Sequence, residues 1–212
     1  MSSSNQIHAG SSLVIFGAGG HGRVIVDAAL LMHRWSRIVV SDRKLPDNRT
    51  ELLTGVDLIT VAAALALDAS IHVAIGNNQL RQREANALGI KQLMSVVHPR
   101  AVISIFSSVG AGCFVAAGAV IGPSAQLGLG VIVNHGAVID HDTEVGSFSH
   151  IAPNAALGGH VKVGQRVLIG SGATVLPSIV ICDDVTVGAG SVINTHLLKS
   201  GTYAGIPARK IS

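Results

Sequence analysis

The chain has 212 residues, a formal net charge of +3, and a composition that is 48% hydrophobic, 13% charged and only 3% aromatic, with 25 glycines. That length allows one large domain or two modest ones with ample core material, while scattered Lys and Arg exclude a basic face for nucleic acid and no apolar run approaches the roughly 20 residues of a membrane span. Poverty in charge and aromatics together with abundant glycine suits a repeated fold packed with small aliphatic side chains.

Residues 1–12, MSSSNQIHAGSS, read as a polar tail without the charged-then-apolar plan of a signal peptide. Cys113 and Cys182 are far apart and form no metal-type spacing, so reduced thiols and a cytoplasmic location are expected.

Residues 13–94 have the texture of an α/β domain. LVIFGAGGHGRVIVDAALLM (13–32) is an apolar strand, a glycine turn and a helical pattern, and RIVVSD (37–42) is a second strand ending in Asp42. VAAALAL reads as helix, IHVAIGNN (71–78) as a third strand running into a polar turn, and QLRQREANALG as helix. The order is βαβαβ, half of a nucleotide-binding (half-Rossmann) sheet, with ligand expected at the carboxyl ends of the strands. Gly17, Gly19, Gly20 and Gly22 would let backbone amides and a helix N-terminus approach a phosphate. A ligand-free strand–helix turn would use the same glycines. A second βαβαβ half is missing, which favours a mononucleotide over NAD. Asp42 suits a hydrogen bond to a base or ribose, and would be equally ordinary as a strand cap.

Residues 95–196 keep a six-residue clock. From Val97, steps of six reach Ile103, Val109, Val115, Ile121, Leu127, Val133, Ile139, Val145, Ile151, Leu157, Val163, Ile169, Val175, Ile181, Val187 and Ile193, all aliphatic. Four places after the aliphatic a small or β-branched residue recurs, as at Ala119, Ala137, Thr143, Ser149 and Ala155. This period means short strands joined by tight corners, a hexapeptide β-helix whose triangular coil takes 18 residues. If the clock residue points inward, the residues two and three places later point out. His141 and Asp142 hold those places after Ile139, with Gly159 stacked above His141 and His160 above Asp142. Residues 135, 153, 171 and 189, each 18 apart, form one column up one face, and His141 heads a different column on an adjacent face. Residues 197–212 read as a C-terminal tail.

Other titratable residues carry weaker signals. His135 is outward-facing; His8, His33 and His196 have no context beyond the surface; His72 and His98 lie near strand ends and suit structural roles. Cys113 takes an inward small-residue position, so it belongs to the core. Arg209 and Lys210 could reach a coenzyme phosphate or stand in solvent.

Taken together, FGAGGHG, AIGNNQLR, VIDHD, FSHIAP, VLIGSGATVLP and AGIPARK cover nearly the whole chain, and this combination resembles the hexapeptide-repeat nucleotide-sugar N-acetyltransferases. These act on GDP-perosamine or UDP-linked 4-amino sugars for bacterial surface glycans such as O-antigen lipopolysaccharide, and sialic acid O-acetyltransferases are related. The resemblance implies a left-handed β-helix, a homotrimer, and acetyl-CoA bound between neighbouring helices, with no metal. It further implies that His141 is the general base and Asp142 its partner. Gly19, Gly20, His21, Asp42, Arg43 and Gly76 would then bind the sugar nucleotide, and His150, Ser171 and Ala189 the coenzyme. The UDP-sugar relatives carry an acid where this chain has Arg43, which leaves GDP open. The 135/153/171/189 column supports the coenzyme assignment independently, because a long ligand lying along the axis touches the same position in successive coils.

The expected reaction is therefore acetyl transfer from acetyl-CoA to the 4-amino group of a nucleotide-linked 4-amino-4,6-dideoxy sugar, GDP-perosamine in particular. A histidine near neutrality can take the amine proton, and a carboxylate on its other nitrogen fixes the tautomer. The rivals are UDP-amino-sugar N-acetylation, sialic acid O-acetylation, a β-helix zinc enzyme of carbonic anhydrase type, an NAD-dependent oxidoreductase and a non-catalytic sugar-nucleotide sensor. The zinc type needs three histidines converging between subunits, usually including a His-x4-His pair, and no two histidines here are five apart.

Overall fold

The computed structural model describes residues 11–45, 50–89 and 93–211. Nearly all of the polar tail, His8 included, lies outside the described residues.

Strand β1 (Ser12–Phe16) is apolar on both faces, as a central parallel strand must be. It pairs in parallel with β2 (Arg37–Ser41) on one side and β5 (Ala69–Val73) on the other. Helix α1 (Gly20–Leu31) follows β1, and α2 (Val61–Leu65) and α3 (Asn78–Leu88) flank β5 in sequence. The expected βαβαβ order is present. An element not expected from the sequence is the short hairpin of β3 (Glu51–Leu53) and β4 (Val56–Ile59), which turns at Gly55 with φ +80° and extends the sheet beyond β2. Strands of 3 and 4 residues are too short to display alternation.

Beyond Val96 the chain winds into a parallel β-helix of two-residue strands. The first face runs in steps of 18 from Val102–Ile103 to Val192–Ile193, the second from Ser108–Val109 to Val180–Ile181, and the third starts at Val96–Val97. Clock residues from Val115 to Ile193 are buried, with Val97, Ile103 and Val109 partly buried at the open lower end. The third residue after the clock adopts positive φ at many corners: Gly112, Gly118, Gly130 and Gly136 do so, as do Ser124, Asp142, Asn154 and His160. The small or polar residues at these corners tolerate the left-handed region.

The segment read as a tail closes the prism. Strand Gly201–Gly205 pairs in parallel with Val185–Val187 and antiparallel with Ala208–Lys210. It replaces the next strand of the third face and covers a sheet edge.

The two domains share one core. Val96, Phe114 and Ile132 point outward from the third face and pack with Leu13, Ile15, Ile25 and Val26 of the α/β domain. Arg81 of α3, only 1% exposed, locks this junction. It donates to the carbonyls of Gly130 at 2.8 Å and Phe148 at 2.7 Å in the β-helix, and to Ile75 at 2.9 Å and Gly76 at 3.1 Å after β5. Burial pulls its pKa down to about 10, so it stays charged at neutral pH.

Candidate active site

Two groups of residues emerge, one in the α/β domain and one at a corner of the β-helix. In the first, the four glycines of the turn divide by cause. Gly17 has φ +128°, and a Cβ there would stand 2.6 Å from the Ala74 carbonyl oxygen; Gly22 would strike the Gly17 carbonyl. Packing explains both. Gly19, Gly20 and, on the neighbouring turn, Gly76 would meet nothing within 4 Å. Their open side is where a ligand could approach the backbone, above a helix N-terminus that no side chain caps.

Asp42 has both oxygens engaged: Oδ2 accepts from the Ala18 N–H at 2.8 Å and Oδ1 from the Lys44 N–H at 2.9 Å. It holds the end of β2 against the glycine turn. Arg43, beside it, forks onto Glu84 of α3, with Nη2 to Oε2 at 2.8 Å. His21, in the first turn of α1, packs edge-on against Phe114, and its buried Nε2 has no partner among the described residues. Burial, with the neighbouring His150 adding to it, drives the His21 pKa down to about 3, so the ring is neutral.

His150 lies at the same junction. Its Nε2 meets the Asn134 amide at 3.1 Å, its ring centre is 6.4 Å from that of His21, and burial lowers its pKa to about 4. The structure therefore brings His150 to the α/β-domain group of residues, while Ser171 and Ala189 stand exposed on the corner between the third and first faces, in one column with His135 and Pro153.

The second group is at the corner between the first and second faces. His141 Nδ1 lies 2.7 Å from Asp142 Oδ2, with His141 47% and Asp142 44% exposed. Asp142 reaches this position through its φ of +57°, and Gly159 supplies the space: a Cβ there would come 2.5 Å from His141 Cε1 and Nε2. His160 Nε2 is 3.7 Å from the same Asp142 oxygen, and its ring meets His141 edge-on at 5.1 Å. The residues stack as the 18-residue period predicts. Asp142 thus contacts both imidazoles, His141 directly. Its hydrogen bond, reinforced by the charge of Asp140, raises the His141 pKa above 6.5. The donor atoms of His141, Asp142 and His160 lie within 4.8 Å of one another. At 2.7 Å the first pair is spaced for a charge-assisted hydrogen bond.

Cys113 is inside the prism as expected, its thiol directed at the Gly128 carbonyl and its pKa pushed up to about 12 by burial. It cannot serve as a nucleophile. A hollow of about 600 Å³ on the second face, lined by residues including Lys162, Gly164 and Asp183, contains none of the candidate residues. Among the described residues no helix is long and apolar enough to cross a membrane.

Sequence reading missed Arg81 and Glu84. Both occupy the buried stripe of α3, where a search for apolar periodicity passes over charged residues. No sequence signal marks them: α3 buries Arg81, Glu84 and Ala85 where an ordinary amphipathic helix would place aliphatics, and that burial is visible only in the structure.

Comparison with known proteins gives consistent matches. Residues 12–88 match the PglD N-terminal domain, and residues 160–195 the bacterial transferase hexapeptide (six repeats). UDP-N-acetylbacillosamine N-acetyltransferase of Bacillus subtilis is 34% identical over 111 residues, 50% of this chain and 51% of that enzyme, so the match spans about half of that relative's length. The acetyltransferase domain of PglB from Neisseria gonorrhoeae, solved with acetyl coenzyme A, is 35% identical with a TM-score of 0.87, covering 95% of this chain and 100% of that one. A histidine-to-alanine mutant of GDP-perosamine N-acetyltransferase from Caulobacter crescentus, solved with CoA and GDP-perosamine, is 33% identical with a TM-score of 0.88, covering 95% and 97%.

Proposed function

This chain belongs to the hexapeptide-repeat nucleotide-sugar N-acetyltransferase family, and from that premise we propose that it transfers the acetyl group of acetyl-CoA to the 4-amino group of a nucleotide-linked 4-amino-4,6-dideoxy sugar, with GDP-perosamine as substrate. The observation that carries this reading is the 2.7 Å contact between His141 and Asp142 at an open corner. With Nδ1–H directed at the carboxylate, Nε2 is the free acceptor.

The amine lone pair attacks the thioester carbonyl, forming the C–N bond. The C–S bond then breaks and its electron pair leaves on the coenzyme sulfur. The proton released by the amine goes to His141 Nε2, and Asp142 stabilises the resulting imidazolium. From His141 the proton passes to the thiolate or to solvent. Such a step needs no Ser or Cys nucleophile.

The sugar nucleotide would lie on Gly19, Gly20, His21 and Gly76, beside Asp42 and Arg43. The coenzyme would run up the column of Ser171 and Ala189, with His150 at its lower end. That column and His141 stand on opposite edges of the first face, whose outward residues Val102 (63% exposed), Val120 (37%) and Val138 (38%) form an apolar strip. Copies packed across this strip around a three-fold axis would set one chain's column beside the next chain's His141, giving a homotrimer with shared sites. A groove between prisms is not a pocket of the single chain, which accounts for the hollow on the second face containing none of these residues. The reaction suits the cytoplasm, where acetyl-CoA is available, and the supply of a surface polysaccharide.

The test is to mix the protein with acetyl-CoA and, separately, GDP- and UDP-linked 4-amino sugars, following release of free thiol. Turnover on the GDP sugar supports the assignment. Turnover on the UDP sugar alone moves it to the bacillosamine type, and turnover only with a hydroxyl acceptor such as sialic acid overturns N-acetylation. The acid limb of kcat/KM should lie above pH 6.5, because activity is lost as pH falls through the raised pKa of His141. Asp142→Asn should bring that limb down toward 6.5; a limb that does not move would show that Asp142 leaves the base untouched.

Gly159→Ala separates activity from folding. The atoms nearest the added methyl are those of the partly exposed His141 ring, which can swing outward, so stability should change little. The displaced base should lower kcat on the order of 10²-fold. Unchanged kcat in a variant of wild-type melting temperature would refute the placement of the ring.

A further inference from the structure

The sugar-nucleotide function leaves open how the base is read, and one ion pair bears on it. In sheets of this type the residue ending the second strand faces the nucleoside, normally as an acid that accepts from the ribose. Here that acid is Asp42, and each of its oxygens already holds a backbone N–H, those of Ala18 and Lys44. The next residue is Arg43. Its side chain is 56% exposed, whereas that of its partner Glu84 is only 8% exposed.

This asymmetry fixes the guanidinium. Glu84 takes Nε at 2.9 and 3.0 Å and Nη2 at 2.8 Å. If Arg43 swung away, a buried carboxylate would lose its only ion-pair partner among the described residues, which is costly. The pair reaches from the end of β2 to α3, which follows β5, and β1 lies between those strands in the sheet. It therefore borders the carboxyl ends at which the glycine turn opens.

A guanidinium has five N–H groups, and Glu84 uses the side fork of Nε and one Nη2 hydrogen. The end fork, one hydrogen on each Nη, points away from Glu84 with its two N–H bonds parallel. Such a fork fits two adjacent acceptors. Guanine offers O6 and N7 in that arrangement. Uracil has O4 flanked by the N3–H donor and by C5–H, so that edge offers a single acceptor, and O2 lies beyond N3–H.

We propose that Arg43 is the residue that selects a guanine nucleotide, and that Glu84 is the positioning residue that aims it. The proposal rests on the sugar-nucleotide function above and is tested so that the two can fail separately. GDP and UDP are titrated into the wild-type protein without acetyl-CoA, so no turnover is required. GDP should bind roughly tenfold or more tightly than UDP, as for a bidentate base contact. Arg43→Gln and Glu84→Gln should reduce that ratio to near one, and Arg43→Lys should do so too, because it keeps the charge and loses the fork. In turnover the same variants should raise KM for the GDP sugar while kcat and KM for acetyl-CoA stay within about twofold of wild type. Equal or tighter binding of UDP by the wild type overturns the proposal, as does a folded Arg43→Gln or Arg43→Lys protein that keeps the GDP preference. GDP preference without turnover would sink the acetyltransferase function and leave the base reader standing.

Discussion

Replacing His141 by asparagine is expected to lower kcat by roughly 10²–10⁴-fold, the usual worth of a positioned general base, with little change in either KM. The amine must lose a proton as the C–N bond forms. Of the groups at this corner, His141 combines a free ring nitrogen with a pKa raised toward the working range by Asp142. Asparagine is smaller but keeps a polar side chain that can hydrogen-bond, and it cannot accept a proton at neutral pH. The side chain is 47% exposed and belongs to no core cluster, so the melting temperature should stay near that of wild type. Steady-state kinetics alongside thermal unfolding checks both halves. A folded variant within threefold of the wild-type kcat would show that the amine is deprotonated elsewhere and that the His141–Asp142 pair is a surface ion pair.

The largest stability effect is expected at Arg81. Arg81→Met should cost about 4 kcal/mol or more, the range reached when a buried hydrogen-bonded network is broken. The substitution conserves much of the volume and removes the donors that serve the Gly130, Phe148, Ile75 and Gly76 carbonyls. Relief from burying the guanidinium offsets part of this loss. Ser149, also reached by Arg81 at 3.3 Å, keeps the Ile132 N–H as a partner. At about 2–4 °C per kcal/mol for a chain of this size, the melting temperature should fall by roughly 8–16 °C. Arg81→Lys should recover only a minor part, since a single ammonium cannot span carbonyls on two domains. A fall of less than about 2 °C would mean that apolar packing of Phe114 and Ile132 alone holds the junction.

The division of labour along the sequence explains what could be read from it. In the β-helix each coil repeats one local solution, an inward aliphatic and a corner that needs positive φ. The register of His141, Asp142, Gly159 and His160 therefore followed from counting by 18. The same count placed Ser171 and Ala189 in one exposed column. In the α/β domain, strand and helix patterns were long enough to show, except in the β3–β4 hairpin. The closing strands Gly201–Gly205 and Ala208–Lys210 were missed because they break the period that made their neighbours visible.

By itself, then, the sequence determined the periodic half, the order of the α/β half, and the placing of a base and an acid side by side on the outer surface, because each depends on residues close together or at a fixed spacing. The family resemblance, carried by motifs scattered over the whole chain, supplied the chemistry expected of that pair. Only the tertiary structure decided that Asp42 closes a turn, that Glu84 holds Arg43, that His150 sits against His21, and that Arg81 joins the domains. These contacts link residues with separations of 24, 41, 129 and 49 positions. Polar contacts of that kind form only once the hydrophobic core has brought the elements together. They leave no periodicity behind, and a buried charge in a helix looks in sequence like any solvated one.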